Sequence, residues 1–474
     1  MSAKRWNRRE VLGGALAAGA LAGTPFRDGF AQPRGNAVGR PRDLLIRNAY
    51  VLTMDAALGD VAGGDVHVRD GAVAAVGRGL QAPAGAEILD GTGMLVLPGL
   101  IETHWHVWTT LLRSLAGDKQ EHGYFPTSRT VGTFYTADDM YVAGRLAAAE
   151  AVHSGITFLH DWCHNVRTPA HAESALRALT EIGIRARFSY GSPTGASNDA
   201  SIDLDDLKRL QTRWNDYAND GLLTLGLAWR GAASAATLRD REVAKELGLP
   251  ISVHANNFQT SAGGIQQLAD RGLLGPDLQV IHAVWCTPAE IRALAENRVG
   301  VSVSPYSEMR IGFGFPIAAQ LLEAGVAVGL SVDTPALSGN ADMFAIMKAI
   351  QNIENGRALN EFKLTARRVL ELATIEGARS MGLADSIGSL TPGKRADLIM
   401  VDTRALNLAV LTEPAHLLVE AAQPANVDTV LIDGRIVKRG GRLTTVDVAD
   451  IIDDAGRAFT EVRRRSGWTW PSQI

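Results

Sequence analysis

His104 and His106 stand one residue apart in LPGLIETHWHVWTT, residues 97 to 110, directly after an apolar run and a Pro-Gly. In an extended chain residues i and i+2 point to the same face, so this spacing aims two imidazoles at one point, whereas a helix would splay them. Two converging imidazoles are half of a divalent metal site. They are also compatible with two histidines that merely fill a strand end, so the rest of the chain has to decide.

Further histidines and an aspartate close other short apolar runs: His160 with Asp161 in GITFLHD, His254 in PISVHA, His282 in LQVIHA and Asp333 in VAVGLSVD. One such histidine is easily a satisfied core residue. Several runs ending this way, with a double histidine on the first, point to a metal instead. Imidazole nitrogens with one carboxylate, and no thiolate required, suit a catalytic zinc, iron or manganese with a position left open for water.

The elements that carry these residues alternate. GLIETH, GITFLHD, RARFSYG, LTLGLAW, PISVHA, LQVIHA, VGVSVSP and VAVGLSVD read as strands. Helical patterns such as TADDMYVAGRLAAAEAVHSG and TPAEIRALAENR separate them. Eight strand–helix units over 98–385 predict an α/β fold, a (β/α)8 TIM-like barrel whose active site lies at the C-terminal strand ends. Those ends carry, in order, His104 and His106, His160 and Asp161, Tyr190, Trp229, His254, His282, Ser304 and Asp333. An open doubly wound sheet fits less well, because no Gly-rich phosphate fingerprint follows the first strand. Strand-and-turn segments at 42–97 and 386–446 flank the barrel and predict one composite sheet domain, with a helix or tail over 447–474.

Residues 1–31 read as a signal peptide: a basic start with Arg8 and Arg9, a weakly apolar Ala/Gly/Leu run, and small residues before a cut after Ala31. The arginine pair predicts twin-arginine export to the periplasm or beyond. The 474 residues carry a net charge of −4, which leaves no footprint for nucleic acid or an anionic membrane. Two cysteines, Cys163 and Cys286, build no disulfide framework, although in an oxidising compartment they could pair. Of nine tryptophans, Trp105, Trp108, Trp162, Trp229 and Trp285 adjoin candidate site residues, either lining a pocket for a planar ligand or filling core.

The motifs PGLIETHWH, ISVHANN, VIHAVWCTPAEI and VGLSVDTPALSGNADMF, with TIEGARSMGLADSIGSLTPGKRADLIMVD, resemble the amidohydrolase superfamily over about 42–445. The branch they resemble holds cytosine and guanine deaminases and triazine hydrolases. The resemblance implies that His104, His106, His254 and Asp333 ligate one divalent metal, zinc ahead of iron or manganese. It implies that His282 orients substrate or water, and that the flanking segments form a composite β-sandwich. It also admits a homo-oligomer. The carboxylated lysine of binuclear members has no counterpart at the fourth strand end, LLTLGLAWRG, which implies a single metal.

One departure bears on the reaction. Where the deaminase branch carries a glutamate three residues after the fifth-strand histidine, this chain has Asn257, which can bond a substrate but cannot act as acid or base near neutral pH. The expected activity is therefore hydrolysis of a non-peptide or cyclic C–N bond of a small molecule (amide, carbamate or urea). In that scheme Asp333 shuttles the proton of an activated water and His282 steadies the oxyanion. A ring aminohydrolase is the alternative, and a silent metal- or ligand-binding barrel is the rival from another class. Asn257, Trp108, His160, Trp229 and Tyr306 are the expected substrate contacts. His164 and Glu308 are weaker candidates, Glu102 is expected to be structural, and Met309, Phe313 and Phe315 to pack loops. RRRSGWTWP reads as a solvated tail or subunit contact.

Overall fold

The computed structural model describes residues 43–470, so the signal segment and the cut after Ala31 lie outside the described residues. Five strands come first: β1 (Leu44–Leu52), β2 (Asp60–Arg69), β3 (Ala72–Gly77), β4 (Glu87–Asp90) and β5 (Met94–Pro98). Eight follow, alternating with helices: β6 (Leu100–Trp105), β7 (Ile156–Cys163), β8 (Arg185–Gly191), β9 (Leu223–Trp229), β10 (Ile251–Ala255), β11 (Leu278–His282), β12 (Gly300–Val303) and β13 (Val328–Leu330). The last four are β14 (Leu398–Asp402), β15 (Val427–Ile432), β16 (Arg435–Arg439) and β17 (Arg442–Leu443).

Strands β6 to β13 pair in parallel in sequence order and wrap into a barrel. Burial on both faces explains why β6 and β7 are buried along their whole length and read as apolar runs rather than alternations. The seam between β13 and β6 is tight. A Cβ on Gly329 would fall 2.4 Å from the Thr103 methyl, so only glycine admits the approach. The barrel interior near this seam is polar and internally bonded: Thr103 Oγ1 pairs with Ser302 Oγ at 2.7 Å and donates to the Leu330 carbonyl at 2.9 Å.

The helices begin where side-chain caps permit. Thr136 with Asp139, and Thr287 with Glu290, form capping boxes ahead of Ala137–His153 and Pro288–Glu296, each satisfying amides that the first helical turn leaves open. The N- and C-terminal strands join through β5 and β14, antiparallel from Leu398 opposite Pro98 to Asp402 opposite Met94. They form one nine-stranded hydrogen-bonded sheet, with β1 shared between β2, β4 and β5. Its core, Ile46, Val66, Val68, Val96, Leu398 and Leu431 among others, is separate from the barrel's. Arg185, at the start of β8, ties barrel to sheet through Asp397 at 2.6 Å and Asp433 at 3.1 Å, all three largely buried.

Over its described residues the C-terminal segment is not a solvated tail. The helix Val448–Ser466 buries Ile451 and Val462 and pairs Asp454 with Arg145 at 2.8 Å. Trp470 then stacks on His122 with ring centres 4.9 Å apart. Among the described residues no helix is long and apolar enough to cross a membrane.

Candidate active site

At the C-terminal mouth of the barrel the strand ends bring His104, His106, His254, His282 and Asp333 together. His104 Nε2 and His106 Nε2 lie 3.2 and 3.4 Å from one oxygen of Asp333. The His254 ring centre is 4.8 Å from that of His104 and 5.3 Å from those of His106 and His282. Two overlapping triads, His104–His254–His282 and His104–His106–Asp333, each hold their donor atoms within 4.8 Å of one another.

The backbone puts them there. Asp333 follows β13 and bridges back to β6: its N–H donates to the His104 carbonyl at 2.9 Å, and the His106 N–H donates to its carbonyl at 2.7 Å. Three residues at this rim adopt left-handed backbone, Asp333 (φ 60°), His282 (φ 74°) and Ala283 (φ 53°). Such conformations typically cost about 1–3 kcal/mol each and persist only where the surroundings impose them.

Electrostatics favour metal ligation. Burial, reinforced by neighbouring imidazoles, holds His104 and His254 well below the ordinary histidine range. Burial likewise pushes His106 down to about 4, against the pull of Asp333. All three are therefore neutral near pH 7 and present lone pairs. Neither ring nitrogen of buried His104 has a hydrogen-bond partner, which is costly unless something else takes that capacity. His106 Nδ1–H donates to the Trp162 carbonyl at 3.1 Å, which leaves Nε2 as the acceptor facing Asp333. The set of imidazole nitrogens with one carboxylate fits a divalent ion of the zinc, iron or manganese type.

His282 is steadied from behind. Its Nδ1 lies 3.1 Å from Glu308 Oε1, and the same oxygen accepts from the Ser304 N–H at 2.8 Å. Glu308 is fully buried and holds His282, so it positions His282 rather than substrate. Glu102 is structural, as expected: its carboxyl accepts from the amides of His104, Val332 and His160. Burial nevertheless pushes it up to about 8.

A cavity of about 640 Å³ opens above this floor. His106, His254, Trp162, His164 and Asn257 line its inner part, Trp229, Arg230, Tyr124 and Phe258 its walls, and Phe125, Ser128, Arg129 and the 194–198 loop complete the lining. Trp162 packs edge-on against His254 at 4.4 Å, and Phe258 rests on Phe313, which in turn meets His282. Asn257 Oδ1 is buried without a partner, an acceptor left for something bound in the cavity.

Trp229 and Asn257, expected as substrate contacts, both line the cavity, although the Trp229 indole N–H is spent on the Thr237 carbonyl. Three expectations are corrected. His160 lies one layer below the cavity, because β7 continues to Cys163 and brings Trp162, not His160, to the rim. Both His160 ring nitrogens are satisfied, by the Thr103 carbonyl and Ser189 Oγ at 2.8 Å each. Trp108 has left the strand for a short 3-10 helix, where it packs on Tyr135 and donates to His164 Nδ1 at 3.4 Å from behind the wall. Tyr306 is turned outward on the helix Pro305–Arg310, with its hydroxyl 3.4 Å from the Ala345 carbonyl.

Tyr124, Phe258 and Arg230 were missed. Tyr124 opens a helix (Tyr124–Gly132) inserted between β6 and β7, with no periodic signal to mark it as a wall. Arg230 stands one residue past the end of β9, so the reading that stopped at Trp229 stopped one residue short. Cys163 and Cys286 are both free thiols.

Residues 95–437 match the model of the amidohydrolase family. A 5'-deoxyadenosine deaminase of Methanosarcina mazei is 31% identical over 447 residues, covering 89% of this chain and 99% of that protein. A 5-methylthioadenosine/S-adenosylhomocysteine deaminase of Desulforudis audaxviator is 32% identical over 438 residues, 87% of this chain and 97% of the other. Among solved structures, an adenosine deaminase from Xanthomonas campestris with bound zinc superposes with a TM-score of 0.79 at 25% identity, over 90% of this chain and 99% of that one. A zinc complex of an atrazine chlorohydrolase from Arthrobacter aurescens shares the fold, with a TM-score of 0.77 at 20% identity over 88% and 100%. The chain thus belongs to the amidohydrolase family and is a hydrolase of carbon–nitrogen bonds other than peptide bonds.

Proposed function

We propose that this enzyme is a metal-dependent aminohydrolase that releases ammonia from an amino-substituted heteroaromatic ring of about purine-nucleoside size. The observation that carries the reading is the end-to-end match to deaminases of adenosine derivatives. The cavity supports it: Trp162, Phe258, Tyr124 and Trp229 offer faces and edges for a planar ring, above the imidazoles of His106 and His254. We take His104, His106, His254 and Asp333 to hold one divalent ion, zinc by preference.

When bound, the ion supplies a water activated for attack near neutral pH. The protein's own part is positional and protonic. The aromatic side chains hold the ring so that the amino-bearing carbon faces the floor. Asn257 Oδ1 accepts an N–H of the substrate. Asp333 takes the proton of the attacking water and delivers it to the departing amine, while His282, whose Nδ1–H is held on Glu308, accepts with Nε2 and orients the attacking water. Asn257 cannot itself carry a proton.

That last point favours a second reading, hydrolysis of an amide, cyclic amide, carbamate or urea, in which one carboxylate shuttle suffices. Incubation of metal-loaded protein with adenosine and its 5'-deoxy and 5'-methylthio derivatives decides between them. Ammonia in step with the oxo product, abolished in Asp333→Asn, supports the aminohydrolase. No ammonia, with turnover of cyclic amides or ureas, replaces it by the second reading. Export rests on the N-terminal arginine pair and the Ala31 junction, and N-terminal sequencing of the protein recovered from the producing cell checks it.

A further inference from the structure

We infer that the substrate carries a carboxylate, and that Arg230 is the residue that recognises it. The inference rests on reading this cavity as the substrate pocket. The cavity wall is electrically lopsided: Arg230 stands inside it and Arg129 at its exposed edge, while no aspartate or glutamate is among the lining residues. The Asp333 carboxylate faces His104 and His106 instead.

The Arg230 guanidinium is fixed but not neutralised. Nε donates to Ser192 Oγ at 2.8 Å and Nη2 to the Ser192 carbonyl at 3.3 Å, both on one edge of the group. Nη1 makes no hydrogen bond to any described residue, and no described carboxylate pairs with this arginine. The nearby Tyr124 phenol cannot serve as counter-charge, since burial holds it well above the usual tyrosine range. A guanidinium taken partly out of water without an acid is costly to maintain, and a planar fork is matched by a planar oxyanion.

Its place also constrains the substrate. The guanidinium lies 5.8 Å from the Trp162 ring centre, and Trp162 packs against His254 at 4.4 Å. The carboxylate therefore lies on the Trp162 side of the cavity, beside the ring that packs on His254. Ser192 follows β8 and Arg230 follows β9, so two neighbouring strand ends build this subsite together.

The test compares two inert bicyclic probes of similar shape, a quinoline carboxylate and the corresponding methyl ketone. Calorimetry on zinc-loaded wild type, Arg230→Gln, Arg230→Lys and Ser192→Ala, matched for metal content, gives the affinities. We expect wild type to favour the carboxylate at least tenfold. Arg230→Gln loses at least tenfold for the carboxylate and less than twofold for the ketone, and Arg230→Lys recovers part of the loss. Ser192→Ala, which loosens the guanidinium but keeps it, loses two- to fivefold for the carboxylate alone and serves should Arg230→Gln fail to fold. Equal losses for both probes, or carboxylate binding in Arg230→Gln within twofold of wild type, overturn the inference. Ammonia release by the same preparations from an amino-substituted bicyclic heterocycle that carries a carboxylate, assayed beside adenosine derivatives, separates the two claims. No ammonia from either class with Arg230-dependent carboxylate binding sinks only the deaminase reading, whereas ammonia release with Arg230-independent binding sinks only this one.

Discussion

The floor of the cavity and its walls are made from different kinds of structure. His254 and His282 stand on strands held on both sides by parallel ladders, and His104, His106 and Asp333 stand where β6 and β13, each laddered on one side, meet through the Trp105–Asp333 bridge. Tyr124, Arg129, Phe258 and the 194–198 loop stand on a short inserted helix and on loops, outside the strand ladders. A barrel of this kind keeps the first set nearly constant while the second varies, because a loop can change length without disturbing a ladder. The floor therefore sets the chemistry and the walls set the substrate.

Mutations should divide along that line. His104→Ala removes the residue common to both donor triads and is expected to abolish stoichiometric metal and essentially all turnover, as elemental analysis and a rate assay will show. Asp333→Asn keeps the left-handed backbone, which asparagine tolerates, and should retain metal while kcat falls about 10²–10⁴-fold, the usual worth of a proton shuttle. Turnover within tenfold of wild type in a metal-loaded Asp333→Asn would remove the shuttle role. On the wall, Phe258→Ala should raise KM about five- to tenfold with kcat within threefold, consistent with about 1–1.4 kcal/mol of lost aromatic contact. A drop in kcat as large as that of Asp333→Asn would erase the distinction between floor and wall.

A last test concerns stability rather than turnover. Burial pushes the Asp161 carboxyl from 3.8 up to about 8 in the folded protein. The folded chain thus keeps a proton that the unfolded chain releases above about pH 4. The resulting contribution is full below that point, declines as pH rises towards 8, and is level beyond. Asp161→Asn should flatten the fall in melting temperature between pH 5 and 8. An unchanged slope would mean that Asp161 is ionised in the fold.

The same division explains what could be read from the chain. The strand-borne residues of the floor were legible because period two and strand ends are local signals: His104 and His106 share a face by spacing alone, and His254, His282 and Asp333 each close an apolar run. His160 was misread because the strand's true end, at Cys163, could not be located among residues buried on both faces. Trp108 and Tyr306 were misread because a side chain beyond a strand end points wherever its turn directs it. Tyr124 and Phe258 reach the cavity only through tertiary folding, and no spacing announces them. Arg230 was within reach of the sequence, one position past a correctly placed strand.

The bridge from Asp333 back to His104 and His106 also has a consequence for assembly. The histidine pair exists as soon as β6 forms, but the carboxylate arrives only when the two ends of the barrel meet. Beside that junction, Thr109 and Thr334, 225 residues apart, share a 2.7 Å hydrogen bond. Contacts of such long range form slowly, after most of the intervening chain has condensed. On the proposed ligand set, an ion met before closure would find only two imidazoles, and the full set of donors would exist only once β13 has closed on β6.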